Sequence, residues 1–105
     1  MADEVPIEAI PNQSFSIVLD ESRYQITLKA AGTTMAATIE RDGEEIISGM
    51  RCVVGQPLIP YQYLEGGNGN FFFLTDNNEL PYYTEFNVTQ TLLYFDADDM
   101  EALRG

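Results

Sequence analysis

Histidine is missing from this chain, and cysteine occurs once, at Cys52. Without histidine, the Ser-His-Asp and Cys-His forms of nucleophilic catalysis are excluded, and so is the commonest zinc ligand. A single cysteine builds neither an intrachain disulfide nor a cysteine-rich metal site. Because Cys52 lies in an apolar strand pattern, its simplest role is that of a small buried hydrophobic residue. The sequence therefore predicts that the chain is not an enzyme, with no catalytic, cofactor-binding or metal-binding residues.

Basic residues are scarce, with 5 lysines and arginines against 17 aspartates and glutamates and a formal net charge of −12. No base lies between Arg51 and Arg104. A surface of this kind repels phosphate groups, so binding to nucleic acid or to an anionic membrane is not expected. The simplest reason for the charge is solubility. Two sharper interpretations are a basic protein partner and a wall that DNA passes without binding.

Long apolar runs and a basic-then-apolar segment at the amino terminus are also absent. The longest apolar runs extend over only a few residues, which is too short to span a bilayer. No secretory signal is recognised. We therefore expect the chain to fold in a reducing, cytosol-like compartment.

The clearest structural signal is a β-hairpin over Met35–Val54. Apolar residues alternate on both sides of Asp42-Gly43, and Asp-Gly favours a type I′ turn because both of its positions need φ > 0. Ser48-Gly49 interrupts the second strand, where a lone glycine indicates a bulge or bend. The same rules predict an earlier hairpin that turns at Asp20-Glu21-Ser22.

No stretch has the apolar spacing of a substantial amphipathic helix, and the other apolar segments are short. Further strands are predicted over Phe15–Leu19, Arg23–Lys29, Phe71–Leu74 and Thr91–Phe95. Leu58–Leu64, which Pro60 interrupts, is predicted to be an edge strand or an extended segment. About seven strands around one core predict an all-β fold, either a small antiparallel β-sandwich or a partly open β-barrel.

We predict a single domain over residues 1–105. Residues 1–8 are polar and acidic, and we expect them to be flexible or dependent on a partner. Residues 96–105 form an acidic carboxy-terminal tail, in which Ala97–Leu103 has room for one or two helical turns.

Two motifs invite a ligand-binding interpretation, and both lack residues that the ligand needs. Gly66–Gly69 is glycine-rich like a phosphate loop, but no Lys-Ser/Thr pair and no predicted helix follow it. The acidic cluster near the carboxy terminus offers oxygen ligands for Ca²⁺, but it lacks the central glycine and the spacing of an EF-hand. That cluster consists of Asp96, Asp98, Asp99 and Glu101. A flexible hairpin loop and a solvated acidic tail are the simpler interpretations.

Five short motifs follow one another in a definite order along the chain. They are Ile10-Pro11-Asn12-Gln13, Leu19-Asp20-Glu21-Ser22-Arg23-Tyr24, Ser48-Gly49, Pro57-Leu58 and Leu92-Leu93-Tyr94. In order and spacing the series resembles the baseplate plug family of contractile-tailed bacteriophages, which includes the cyanophage plug domain. Family members often have an aromatic residue at the position of Met35 or Ala37, a difference that concerns core packing.

The resemblance implies a structural virion protein of the tail baseplate, assembled in the host cytoplasm. It also implies contacts with hub, spike and tail tube proteins, several copies per baseplate, and a role in plugging or sealing the central tube. No catalytic step is implied. Under this interpretation, carboxylates that face the tube lumen would let DNA pass without binding.

The alternative hypothesis is an acidic cytosolic binding module or inhibitor that occupies a basic cleft of a partner protein. Under either hypothesis, exposed tyrosines suit a protein interface because they combine a large contact area with a polar tip. We expect partner contacts in the amino-terminal segment, in Pro57–Gly69 and in the loop Thr75–Thr84.

Overall fold

Seven strands form two antiparallel sheets in the computed structural model, which describes residues 3–65, 68–76 and 80–104. The strands are β1 (Asp3–Val5), β2 (Asn12–Leu19), β3 (Ser22–Ala31), β4 (Thr34–Arg41), β5 (Glu44–Arg51), β6 (Asn70–Thr75) and β7 (Gln90–Phe95). The helices are α1 (Gln62–Glu65) and α2 (Ala97–Arg104), and a 3₁₀ turn lies at Tyr83–Glu85. The described strands do not close into a barrel, so the predicted small all-β sandwich is confirmed.

The four-stranded sheet is a meander in the order β2-β3-β4-β5. Its first turn has φ of +52° at Asp20 and +66° at Glu21. Its third turn has φ of +53° at Asp42 and +86° at Gly43. Two consecutive positive φ angles are typical of type I′ turns, whose twist matches that of the strands. The predicted hairpin across Asp42-Gly43 is therefore confirmed.

A β-bulge at Gly49 interrupts the pairing of β4 with β5. The register shifts between Ala37 and Ile39, and Gly49 has a φ of +64°. Its backbone N–H donates to Thr38 Oγ1 at 3.0 Å instead of joining the regular ladder. The bulge that the sequence indicates at this glycine is confirmed, and it bends an edge strand of the sheet.

The three-stranded sheet has the order β1-β7-β6, so the first strand of the chain pairs with the last. Val5 lies opposite Leu92 and is buried, as is Ile7 beyond the end of the strand. The expectation that residues 1–8 are flexible or partner-dependent stays a prediction, and residues 1 and 2 lie outside the described residues. Three strand residues are too few to display alternation, so the sequence pattern gives no sign of β1.

Of the two alternatives predicted for Leu58–Leu64, the edge strand does not form, because this segment is irregular and then enters α1. Pro57 and Pro60 lack the backbone N–H that a strand ladder needs. Leu58 and Ile59 are nevertheless buried, which accounts for the apolar pattern of the segment. The strand count agrees with the prediction because β1 replaces this segment.

The core lies between the inner faces of the two sheets and contains three aromatic rings in mutual contact. Tyr24 of β3 meets Phe71 of β6 edge to face, with ring centroids 5.2 Å apart. Tyr94 of β7 lies 5.1 Å from Phe71 and 5.8 Å from Tyr24. Because all three side chains are buried, this aromatic cluster joins the two layers directly.

One side of the sandwich is closed by the chain that leaves β5. Cys52 donates its backbone N–H to the Met35 carbonyl of the four-stranded sheet at 2.9 Å. Leu58 donates its backbone N–H to the Phe71 carbonyl of the three-stranded sheet, also at 2.9 Å. Residues 52–58, the crossing segment, therefore pass from one sheet to the other. On the opposite side, β1 and β2 are the outermost strands.

Replacing Gly43 by valine should destabilise the fold through the backbone alone. A Cβ at this position meets no atom within 4 Å, whereas a φ of +86° is strained for a β-branched residue. We expect a loss of about 1–3 kcal/mol in the free energy of unfolding, measured by urea denaturation. Gly43→Asn is the matched control, since asparagine tolerates positive φ, and it should lose clearly less. Equal losses in the two variants would contradict the turn assignment.

The Cys52 thiol should make stability fall at alkaline pH. Burial raises the pKa of Cys52 from 9.0 to about 12, so the unfolded chain releases this proton at lower pH than the folded chain does. The free energy of unfolding should therefore decrease as the pH rises from 9 towards 12. Cys52→Ala should show a shallower decrease over the same range, and identical pH slopes would contradict the assignment.

Candidate interaction surfaces

Asn70, the first residue of β6, has a completely buried side chain that hydrogen-bonds to the segment before it. Its Oδ1 accepts the backbone N–H groups of Ile59 at 2.9 Å and Phe71 at 2.8 Å. Its Nδ2 donates to the Ile59 carbonyl at 2.8 Å and to Glu65 Oε2 at 2.5 Å. From the other sheet, Arg41 Nη1 donates to the Glu65 carbonyl at 2.9 Å. Residues 59–65 are therefore held by both layers of the sandwich.

Gln90, the first residue of β7, holds the loop that precedes it through hydrogen bonds of its side-chain amide. The buried amide accepts the backbone N–H of Tyr82 at 2.8 Å and donates to the Leu80 carbonyl at 3.1 Å. Tyr82 also donates its hydroxyl to the Gly32 carbonyl at 3.3 Å. Of the predicted contact loop Thr75–Thr84, residues 77–79 lie outside the described residues. The part that follows them is anchored to β7.

The described residues contain no group of three or more Cys, His, Asp or Glu that could hold a metal ion. Within the predicted glycine-rich loop, residues 66 and 67 lie outside the described residues, and Gly69 is buried. A Cβ on Gly69 would overlap the Phe95 carbonyl oxygen and come within 2.6 Å of the Tyr94 ring. This glycine therefore permits close packing. No helix in the described part of the chain is long and apolar enough to cross a membrane.

The outer side of the three-stranded sheet carries an apolar surface that lies outside the core. This apolar face consists of Phe72, Leu74, Leu93 and Phe95, which alternate with the inward-facing residues of β6 and β7. The rings of Phe72 and Phe95 are 4.9 Å apart, and Leu74 is 48% exposed. Because the inner faces of the same strands fill the core, both sides of this sheet are apolar.

Two tyrosines at α1, one just before the helix and one within it, form a second exposed aromatic feature. Tyr61 and Tyr63 stack with ring centroids 5.6 Å apart and an angle of 16° between the ring planes. They are 58% and 77% exposed, although the segment that carries them is anchored through Asn70. Exposed aromatic rings on a fixed backbone suit a protein contact. They lie in Pro57–Gly69, one of the stretches in which we expected partner contacts.

An acidic groove lies at the end of the sandwich where the β2–β3 turn meets the start of α2. Its volume is about 290 Å³, and its lining consists of Asp20, Asn68, Asp96, Ala97 and Asp98. Three carboxylates along one groove favour a basic neighbour and repel phosphate groups. Part of the acidity that the sequence places in the carboxy-terminal tail is thus concentrated on a defined surface.

The acidic residues at the start of α2 also determine where this helix begins. Asp99 donates its backbone N–H to Asp96 Oδ1 at 2.8 Å, and Asp96 donates its backbone N–H to Asp99 Oδ2 at 3.3 Å. This reciprocal pattern is a capping box, which satisfies N–H groups in the first turn of a helix. Met100, in the middle of α2, is buried. The helical turns predicted within residues 96–105 are confirmed.

Residues of the second and the last motif of the series meet in space. Tyr94 donates its hydroxyl to Asp20 Oδ2 at 2.8 Å, and its ring packs against Tyr24 in the aromatic cluster. Burial, reinforced by the hydrogen bond to Asp20, raises the pKa of the Tyr94 phenol well above its usual range. These motif residues, although far apart along the chain, therefore join the first hairpin to the last strand.

A family model described as cyanophage baseplate Pam3 plug gp18 matches residues 2–98. The chain belongs to this family. It is accordingly a structural protein of a phage baseplate, located in the tail of the virion. The resemblance based on the motif series is confirmed, and the match also includes β1. A search of curated proteins finds no match.

Sequence reasoning on the plug chain reaches the apolar face only in part. The density of apolar residues in Phe71–Leu74 indicates a strand with apolar residues on both faces. The structure places Phe72 and Leu74 on the outer face. The same signal in Thr91–Phe95 would have added Leu93 and Phe95. The anchoring roles of the two buried amides depend on contacts with distant backbone groups, which no local pattern reveals.

The bond between Tyr94 and Asp20 can be tested by a double-mutant cycle. Tyr94→Phe removes the charge-assisted hydrogen bond to Asp20 together with the acceptor of the Gly69 backbone N–H at 3.2 Å, and Asp20→Asn weakens the same charge-assisted bond. Each variant should lower the free energy of unfolding by about 1–2 kcal/mol or more. Asparagine tolerates the positive φ at position 20, so the second variant leaves the turn intact. In urea denaturation the double variant should lose less than the sum of the single losses. Strict additivity would show that the two groups do not interact.

Proposed function

We propose that the plug chain lies at the centre of a contractile-tail baseplate and seals the tube and hub region. It does so through protein contacts with hub, spike and tail tube proteins. Membership of the plug family supports this position. The observation that carries the proposal is the apolar face, since apolar surfaces of this kind on a soluble protein mark contact sites. An outward layer of Phe72, Leu74, Leu93 and Phe95 is suited to being covered by a neighbouring subunit.

The distribution of charge supports different roles for the acidic groove and the apolar face. The acidic groove with Asp20, Asp96 and Asp98 suits a position facing the tube lumen, because carboxylates repel DNA phosphates. The apolar face carries no acidic side chain among its four members and suits a protein neighbour. Under the proposal, several copies assembled in the host cytoplasm would each direct the acidic groove inward.

Cryo-electron microscopy of purified virions tests the location. We expect density for this fold at the centre of the baseplate, with the apolar face against a hub, spike or tube subunit and the acidic groove towards the axis. Absence of the chain from the particle would overturn the proposal. Acidic grooves that face neighbouring subunits would refute the lumen-lining role alone.

A charge placed on the apolar face tests the contact itself. Leu74→Lys should reduce incorporation of the chain into baseplates at least about tenfold, since a buried lysine without a partner is costly at an interface. Leu103→Lys is the matched control: Leu103 is 58% exposed on α2, outside the apolar face, and the charge change is identical. Quantitative mass spectrometry of purified particles gives the readout. Equal incorporation of both variants would contradict the proposed contact.

The acidic-inhibitor hypothesis predicts a different set of partners. Affinity purification from infected cells should recover tail proteins if the baseplate proposal is correct. Recovery of a host nucleic-acid-binding protein without any tail protein would favour occupation of a basic cleft instead.

A further inference from the structure

Sheet edges in soluble proteins are normally protected against pairing with another chain, by charges, prolines, bulges, short strands or covering segments. Three of the four sheet edges formed by the described strands have such protection. In β5 the protection is the bulge at Gly49 together with the charged Glu44, Glu45 and Arg51. In β1 it is a length of 3 residues, two of them acidic. The edge of β6 is covered by the crossing segment.

The fourth edge, β2, has no charge, proline, bulge or short length to protect it. The segment beside it meets the strand at Gln13, whose side-chain amide accepts the backbone N–H of Glu8 at 3.0 Å and donates to the Glu8 carbonyl at 2.7 Å. Its 8 residues, Asn12–Leu19, include no charged side chain and no proline. Its register with β3 runs without a shift from Asn12 opposite Lys29 to Leu19 opposite Ser22. No described strand pairs with its outer side. A regular, uncharged strand at an open edge is a template for one more strand.

The hydrogen-bonding groups of this edge belong to alternate residues. The residues that flank a two-residue type I′ turn form a hydrogen-bonded pair, so Leu19 pairs with Ser22 and every second residue before it also faces β3. The backbone N–H and C=O groups of Ser14, Ser16 and Val18 therefore point away from β3. The hydroxyls of Ser14 and Ser16 do not compete for these groups, because they are hydrogen-bonded to Thr27 and Gln25 on β3.

A groove runs along this open edge. Its volume is about 410 Å³, and it lies between Gln13–Ile17 of β2 and the segment that contains Pro6 and Glu8. Phe15 and Ile17 are half-buried and pack against the core from this side. The core is therefore incompletely covered where β1 and β2 are outermost, while the opposite side is closed by the crossing segment.

We propose that an extended segment of a neighbouring baseplate protein adds to β2 as a fifth strand of the four-stranded sheet. Its backbone pairs with Ser14, Ser16 and Val18, and its inward side chains are apolar and cover Phe15 and Ile17. A lysine or arginine of the segment lies near Glu8. The identity of the partner rests on the proposed function, whereas the open edge is a property of the chain itself.

Charge decides between such a segment and a second copy of the chain. Pairing two β2 edges would bring together two subunits that each carry a formal net charge of −12, which opposes association. Glu8 borders the groove, and Asp20 and Glu21 follow the end of β2, so the edge has acidic ends and an uncharged middle. A basic extended segment matches this distribution.

Amide hydrogen exchange tests the proposal without any substitution. The chain is compared in its free form and after co-expression with the hub, spike and tube proteins of the same phage. We expect the amides of Ser14, Ser16 and Val18 to exchange at least about tenfold more slowly in the assembled baseplate. Unchanged exchange in a particle that contains the chain would overturn the inference and leave the proposed function intact. Absence of the chain from the particle would instead refute the proposed function.

A matched pair of variants tests the edge directly. Ser16→Pro removes an outward N–H and is tolerated at an edge strand, whereas Ser16→Ala removes the same hydroxyl and keeps the N–H. Ser16→Pro should weaken binding to the co-expressed baseplate proteins at least about tenfold, and Ser16→Ala at most about twofold. Circular dichroism confirms that each variant is folded. Equal binding of both variants would overturn the inference, as would a doubled mass of the purified chain with its β2 amides already protected.

Discussion

The two layers of this sandwich depend on the contact that Tyr94 makes across the core. Its ring closes the aromatic cluster with Tyr24 and Phe71, and its hydroxyl reaches Asp20 in the first turn. Because Asp20 lies in a type I′ turn, the position of the first hairpin is coupled to that of the last strand. Gly69, which has no room for a Cβ, lets β6 approach the same tyrosine. A single side chain thus sets the relative placement of three strands.

The buried polar groups of the chain hold its irregular segments against the smaller sheet. Asn70 and Gln90 each begin a strand of the smaller sheet, and each hydrogen-bonds to the irregular segment that precedes it. Glu65 is buried beside Asn70 and joins the same network. Asn70 uses both donor and both acceptor positions of its side-chain amide in this way. This agrees with a family whose role in the baseplate is structural.

Local chemistry accounts for the parts of the fold that sequence predicts well. Turn residues with positive φ at Asp42-Gly43 and alternation along β2 to β5 specify the meander, since both signals lie within a few residues of one another. The strand β1 and the irregular Leu58–Leu64 depend instead on partners distant in the chain. The density of apolar residues in β6 and β7 indicates that both sides of these strands are apolar. Which side faces outward is determined by the packing of the other sheet. The open edge at β2 emerges only when all four edges are compared.

Pairing of β1 with β7 also determines when the smaller sheet can form during synthesis of the chain. The meander is synthesised before β6 and β7, so the inner face with Tyr24, Ile26 and Leu28 waits for its covering layer. At about 5–20 residues per second, this interval lasts roughly several seconds. A nascent chain that stops before β7 leaves both β1 and β6 without the strand between them. The smaller sheet therefore forms only after the last strand is complete, although its first strand is the first of the chain.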